Sequence, residues 1–221
     1  MQRAAYFYVP VGLGIGALLA AFNFVTHLWL PLPGRIVFLL ALSAVVTGGL
    51  HLDGLADAVD GVFGGRTRER RLEIMRDSRI GTFGVLGLLF ILSLQFTALL
   101  EMPQSSLTQA LLFAPGWGRA GIVLAASISR PARMDGLGAN FVASVKPLHA
   151  LVALFIAGGL SFVLSPFIAV WSAVASIATT FLLSLYLRSR LGGQTGDTLG
   201  ATNQVVETAV LWVYLLAGRK G

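Results

Sequence analysis

The sequence contains no cysteine and carries little charge. Without thiols there is no disulfide framework, no thiolate metal site and no cysteine nucleophile. Asp, Glu, Lys and Arg make up 12% of the 221 residues, against 56% hydrophobic ones. A soluble domain of this size carries a charged fraction of about 25%, so half of a water-facing shell is missing. With a mean hydropathy of +0.80, the medium covering this surface is lipid. The net charge of +6 superficially suits nucleic acid, but its placement does not, and no nucleic-acid partner is expected. No cleavable signal peptide is expected either: the first apolar stretch is long enough to span, with no clean small-residue cleavage site before a polar chain.

What the chain does have is long apolar runs. A helix needs about 20 such residues to cross the hydrocarbon core. Runs at 6–30, 34–50, 82–100, 107–128, 148–164, 167–187 and 199–216 predict one integral membrane domain over 1–221. The predicted fold is all-α, a polytopic transmembrane bundle of about seven spans. The range is six to eight, because 148–164 and 167–187 also suit a tight or re-entrant hairpin. Pro31, Pro33, Pro103 and Pro166 are expected between spans, where a missing amide donor does least harm.

Orientation follows from the basic residues. Twelve of the sixteen, including Arg3, Arg66–Arg79, Arg130, Arg133, Lys146, Arg188 and Arg190, belong to one side. Arg35, Arg219 and Lys220 belong to the other, and Arg119 lies within a span. The loops at about 51–81, 129–147 and 188–198 are therefore expected to face the cytoplasm. Nearly all the acid lies there too, with only Glu101 opposite. Topology alone requires arginines and no carboxylates, so mixed charge at one end of an apolar protein points to a site.

The densest part of it is His51-Leu-Asp53-Gly54-Leu-Ala-Asp57-Ala-Val-Asp60-Gly61, which reads as an unbroken continuation of the second span. On a helical wheel Asp57 lies about 40° from Asp53, and Asp60 about 20° to the other side. Three like charges in one wedge repel, and near lipid the cost rises. A hard divalent cation with oxygen ligands relieves that, and Mg²⁺ completes its shell with phosphate oxygens. Gly54 and Gly61 leave room for a substrate at the backbone. The bland alternative is a helix end whose aspartates are solvated or paired with Arg66–Arg79. His51 faces the other way, with a structural hydrogen bond or a substrate contact both open to it.

Further constellations surround this one. Glu73 and Asp77 are four apart, expected on one helical face with Arg76 and Arg79. Arginine forks match phosphate oxygens, so this is either a phosphate clamp, with Asp77 as a further metal ligand, or a set of internal salt bridges. Gly192-Gly-Gln-Thr195-Gly-Asp197-Thr places glycines and amide donors before the last span, suiting phosphate, unless Asp197 is simply an N-cap. Asn203 and Glu207 share the next face, and a carboxylate so deep requires a partner. Arg119 is that partner, or else neutralises a diphosphate. Arg133 and Lys146 sit in a cationic, glycine-rich loop suited to nucleotide contact or to topology alone.

The blocks His51–Gly61, Ile74-Met-Arg-Asp-Ser-Arg-Ile-Gly-Thr-Phe-Gly84, Arg133–Phe141 and Thr195-Gly-Asp-Thr-Leu-Gly-Ala201 resemble those of the cobalamin (cobamide) synthases. The resemblance runs from about Tyr6 to the C-terminus. It implies a Mg²⁺-dependent enzyme of the bacterial or archaeal inner membrane that joins adenosylcobinamide-GDP to α-ribazole or its 5′-phosphate and releases GMP. It also implies roles. Asp53, Asp57, Asp60 and Asp77 are expected to be catalytic and to hold the metal. His51, Arg76, Ser78, Arg79, Arg119, Arg133, Lys146, Thr195, Asp197, Asn203 and Glu207 are expected to contact substrate. The expected chemistry is in-line attack of the ribazole 5′-oxygen on the β-phosphorus. A homo-oligomer is compatible with all of this. Family members usually begin with a further amphipathic stretch of roughly 20 residues, so a truncated or shorter start is expected here. Two rivals remain open: a CDP-alcohol phosphotransferase, whose aspartate spacing differs, and a secondary transporter, whose inverted repeats are not evident.

Overall fold

The computed structural model describes residues 2–218; Arg219 and Lys220, counted above for orientation, lie outside the described residues. A 3-10 turn, Gln2–Phe7, leads into α1 (Tyr8–Thr26). Then come α2 (Leu32–Val46), α3 (Leu50–Gly64), α4 (Arg68–Ile74), α5 (Thr82–Leu100) and α6 (Gln104–Ile128). The chain ends with α7 (Leu137–Ser144), α8 (Pro147–Leu164), α9 (Pro166–Leu191) and α10 (Gly196–Gly218). Among the described residues the only β pairing is an isolated bridge between Pro131 and Gln194. The all-α multi-pass membrane bundle is therefore observed.

The span count meets the lower edge of the expected range. Five helices, counting the Gln2 turn with α1, are long and apolar enough to cross a membrane, and six if α2 and α3 together make one span. α2 has 15 residues, about 22 Å of helix, too short to cross alone. α10 is long enough, but Asp197, Asn203, Gln204 and Glu207 lower its hydropathy. It lies inside the bundle, packed against α3, α5, α6 and α9. α6 is the other central column, with Trp117 buried at 1% and its indole donating to Ser161 Oγ on α8 at 3.2 Å. Outward faces such as Phe155, Val163 and Leu182 are those of a lipid-exposed shell.

The second span is not continuous. It ends at Val46, and α3 restarts at Leu50 with its axis turned by 89°. Gly48 and Gly49 make the corner at φ +60° and +70°, a left-handed conformation that costs other residues strain. Prolines open helices: Pro33 lies in the first turn of α2 and Pro166 begins α9, places where a missing N–H is harmless. Neither lies between helices as expected.

Candidate active site

The turn at Gly48-Gly49 changes what the aspartates do. α3 lies across the bundle axis of α2 rather than along it. Its buried face, Leu55, Ala58 and Val62, packs downward with Leu187, Leu191 and Ala201. On the opposite side Asp53 is exposed and Asp57 half-buried. Gly54 sits on the α10 side, where a Cβ would stand 2.8 Å from the Asp197 carbonyl oxygen. That glycine serves helix contact, not substrate approach, and so does Gly61, backed by Met75 and the Arg71 carbonyl. The result brings Asp197 to the aspartate row. Asp57 feels the charges of Asp53, Asp197 and Asp60, and of Arg133 as the neighbouring cation. Arg133 Nη2 reaches Asp197 Oδ2 at 3.4 Å, and its Nη1 is buried with no partner among the described residues.

Asp60 is different. Its Oδ2 accepts the Gly81 amide at 2.7 Å, and its Oδ1 accepts the Gly84 amide at 2.8 Å. α5 begins at Thr82 with Gly81 as its N-cap, which offers no side chain. Asp60 supplies the missing cap from another helix, satisfying orphan donors and facing the positive end of α5. Each carboxylate oxygen thus accepts one amide, whereas Asp53 and Asp57 make no such bond among the described residues and have Asp197 adjacent. No group of three His, Asp or Glu side chains is already arranged to hold a metal ion among the described residues.

Asp77 is also set apart. α4 ends at Ile74, so Glu73 and Asp77 share no helical face. Glu73 pairs with Arg70 at 2.8 Å. Asp77 accepts from the Arg79 amide and Nε, both at 3.0 Å, and from Nη2 at 2.7 Å. That bond from Arg79 holds the Asp77 carboxyl down to about 2. Arg76 pairs with Asp135 at 2.5 Å, tying the 75–81 loop to the 129–136 loop. The expected clamp, Arg76 and Arg79, is therefore already paired within the protein, and Ser78 beside it is exposed. A cleft of about 370 Å³ lies between Asp60, Asp77, Arg70 and Arg79.

Several arginines that the charge count assigned to topology have definite partners. Arg68 donates through Nε to the Leu191 carbonyl at 2.8 Å and through Nη2 to the Ala132 carbonyl at 2.5 Å. Arg71 reaches the Arg190 carbonyl and Arg130 the Gly192 carbonyl. Three cations thus cover the carbonyl end of α9, where the helix dipole favours them. The same region is pinned by Gln194, whose amide donates to the Arg130 carbonyl at 2.9 Å and whose carbonyl accepts from Ala132 at 2.8 Å. Nothing local in the sequence marks this strap, which holds the Arg133 loop against the segment that carries Asp197. Thr195 and Thr198 then bond reciprocally, amide to hydroxyl at 2.8 and 3.2 Å. Thr195 is consequently the capping residue of α10, and Asp197 does not cap.

The remaining expected contacts are elsewhere. Asn203 donates to Glu207 Oε2 at 3.2 Å inside the bundle, beside a small hole of about 30 Å³ near Gln95 and Gln204. Glu207 forms no ion pair with Arg119 among the described residues; Arg119 donates to the Pro115 carbonyl at 2.9 Å. Arg119 and His51 line a separate cavity. Lys146 is exposed at the N-cap of α8, its amide bonded to His149 Nδ1 at 3.0 Å.

The family model for cobalamin-5-phosphate synthase matches residues 1–215. The chain belongs to the cobalamin-5-phosphate synthase family. Relatives bear the name adenosylcobinamide-GDP ribazoletransferase. That of Citrobacter koseri is 39% identical over 98% of this chain and 87% of its own length. That of Thermoanaerobacter sp. strain X514 is 37% identical over 94% and 84%. That of Alkaliphilus oremlandii is 38% identical over 95% and 85%. No solved structure matches. Membership of a family of transferases leaves neither the phospholipid-enzyme nor the transporter alternative a supporting observation.

Proposed function

We propose that this chain joins adenosylcobinamide-GDP to ribazole, or its 5′-phosphate, at the junction of α3 and α10. The observation that carries the reading is the meeting of Asp53, Asp57, Asp197 and Arg133 at one end of a membrane bundle of this family. The excess of basic residues there supports a cytoplasmic position in the inner membrane.

Asp53 and Asp57 suit Mg²⁺: hard oxygen donors, one exposed and one half-buried, in the number that Mg²⁺ takes from protein while phosphates complete its shell. When bound, the ion would draw charge from the diphosphate oxygens. Arg133, which reaches Asp197 at 3.4 Å, brings to the row a guanidinium of the kind that bonds phosphate oxygens. The β-phosphorus exchanges its bond to the GMP oxygen for one to an acceptor hydroxyl. The hydroxyl proton passes to a carboxylate of the row, and GMP leaves with the electron pair. Such transfer rests on positioning and charge neutralisation.

In this reading the attacking oxygen is a ring hydroxyl of the ribose rather than the 5′-oxygen first expected, because a cobalamin-5-phosphate, the product in the family's name, carries its phosphate at the 5′ position. The test is a GMP-release assay in detergent or nanodiscs, with adenosylcobinamide-GDP and each acceptor form, with and without Mg²⁺. Release that requires both substrates and the ion supports the reading; no release with either acceptor ends it.

A further inference from the structure

The aspartate row has a neighbour that the proposed chemistry does not use. Beside the Gly48-Gly49 corner lies a cavity of about 460 Å³, lined by Phe7, Tyr8, Val11, Leu50, His51 and Arg119. Its size falls within the roughly 300–1,000 Å³ of small-molecule sites, which are typically apolar with a few placed polar groups. It is far too small for a corrin ring bearing a nucleotide.

Arg119 is the informative wall. It is 5% exposed and lies nine residues inside the end of α6 at Ile128, about 13 Å along the helix. A cation at that depth requires an anionic partner or many acceptors. Its one hydrogen bond among the described residues is to the Pro115 carbonyl; the buried Glu207 acts on it by charge alone, with no ion pair formed between the two. The cavity therefore combines an apolar, aromatic wall with a buried guanidinium that holds one hydrogen bond and no ion pair. The matching ligand has an apolar body and a phosphate head.

The cavity also runs toward the site. Leu50, Asp53 and Asp57 are spaced i, i+3, i+7 on α3 and share one face. Leu50 lines the cavity, and Asp53 follows it by one turn, about 5 Å. We propose that this cavity is the acceptor pocket: the bicyclic base of a ribazole phosphate lies against Phe7, Tyr8 and Val11, its phosphate binds Arg119, and its ribose is held toward Asp53. The assignment rests on the function proposed above and extends it, making Arg119 the residue that selects a phosphorylated acceptor.

Full-length protein in nanodiscs is titrated with ribazole and with ribazole 5′-phosphate by calorimetry, in the wild type, Arg119→Gln and Val11→Trp. Arg119→Gln should weaken the phosphorylated acceptor about tenfold or more, the range of a charged hydrogen bond, and leave ribazole unchanged. Val11 is 55% exposed, so Val11→Trp fills the cavity without touching the core and should weaken both acceptors. Adenosylcobinamide-GDP should bind all three proteins alike. Acceptor binding to Val11→Trp at wild-type strength overturns the proposal, as does an equal loss of both acceptors in Arg119→Gln. A copurifying phospholipid, lost in Arg119→Gln and displaced by neither acceptor, assigns the pocket to lipid and overturns it as well. If Arg119→Gln does not accumulate, Val11→Trp carries the test alone. Wild type that binds no acceptor and releases no GMP defeats the proposed function itself; wild-type turnover with unaffected pocket variants defeats only the pocket.

Discussion

Asp57 and Asp60 are three positions apart on one helix, yet the structure gives them different work. Asp60 spends both oxygens on the Gly81 and Gly84 amides, so Asp60→Asn places an amide donor against a backbone donor. The expected cost is about 2 kcal/mol, seen as a lower melting temperature in detergent. Asp57 has no such bond among those observed, and Asp57→Asn should melt as wild type does. Asp77 offers a separate check. Its carboxyl is drawn from the ordinary 3.8 to about 2, first by the side-chain bond from Arg79. A depressed folded value means the pair contributes order above 3.8 and loses it as pH falls through about 2. Carboxyl NMR of the Asp77 loop should titrate near 2, and Arg79→Ala should return the midpoint toward 3.8; a midpoint unchanged by that substitution contradicts the pairing. The wheel positions of Asp53, Asp57 and Asp60 were legible from spacing alone. That Asp60 caps another helix was not, because its partners lie 21 and 24 residues further on.

At the scale of elements, the decisive feature is the corner between α2 and α3. An apolar run continuing into Leu50-His51-Leu52 looks like one helix, and hydropathy does not register a change of direction. The Gly48-Gly49 pair was the available signal, since paired glycines mark turns. The approach of α3 to α10 depends on Gly54, where a Cβ would meet the Asp197 backbone. Gly54→Val should force the two helices apart and reduce GMP release by about tenfold or more, with α-helix content by circular dichroism unchanged. Retained activity would show that the α3–α10 contact does not set the site. The arginines over the end of α9 were read from the sequence as topogenic, because a carbonyl partner 123 residues away, as for Arg68, leaves no local trace.

On the scale of the molecule, composition carries far. Lipid exposure, all-α architecture and the clustering of charge at one end followed from hydropathy and charge placement. The span count followed to within one or two, because the apolar run at 34–50 divides into α2 and α3 and the polar residues of α10 lower its hydropathy. The three charged loops assemble through paired contacts, Arg76 with Asp135 and Arg68 with Leu191 and Ala132, which places Arg133 beside Asp197. The proposed place of Asp57 in a phosphoryl-transfer site at this assembly has one direct test. The most direct measurement is the rate of Mg²⁺-dependent GMP release from adenosylcobinamide-GDP and ribazole 5′-phosphate by Asp57→Asn in nanodiscs. We predict a fall of about 100-fold or more at an unchanged melting temperature. GMP release at the wild-type rate would contradict it.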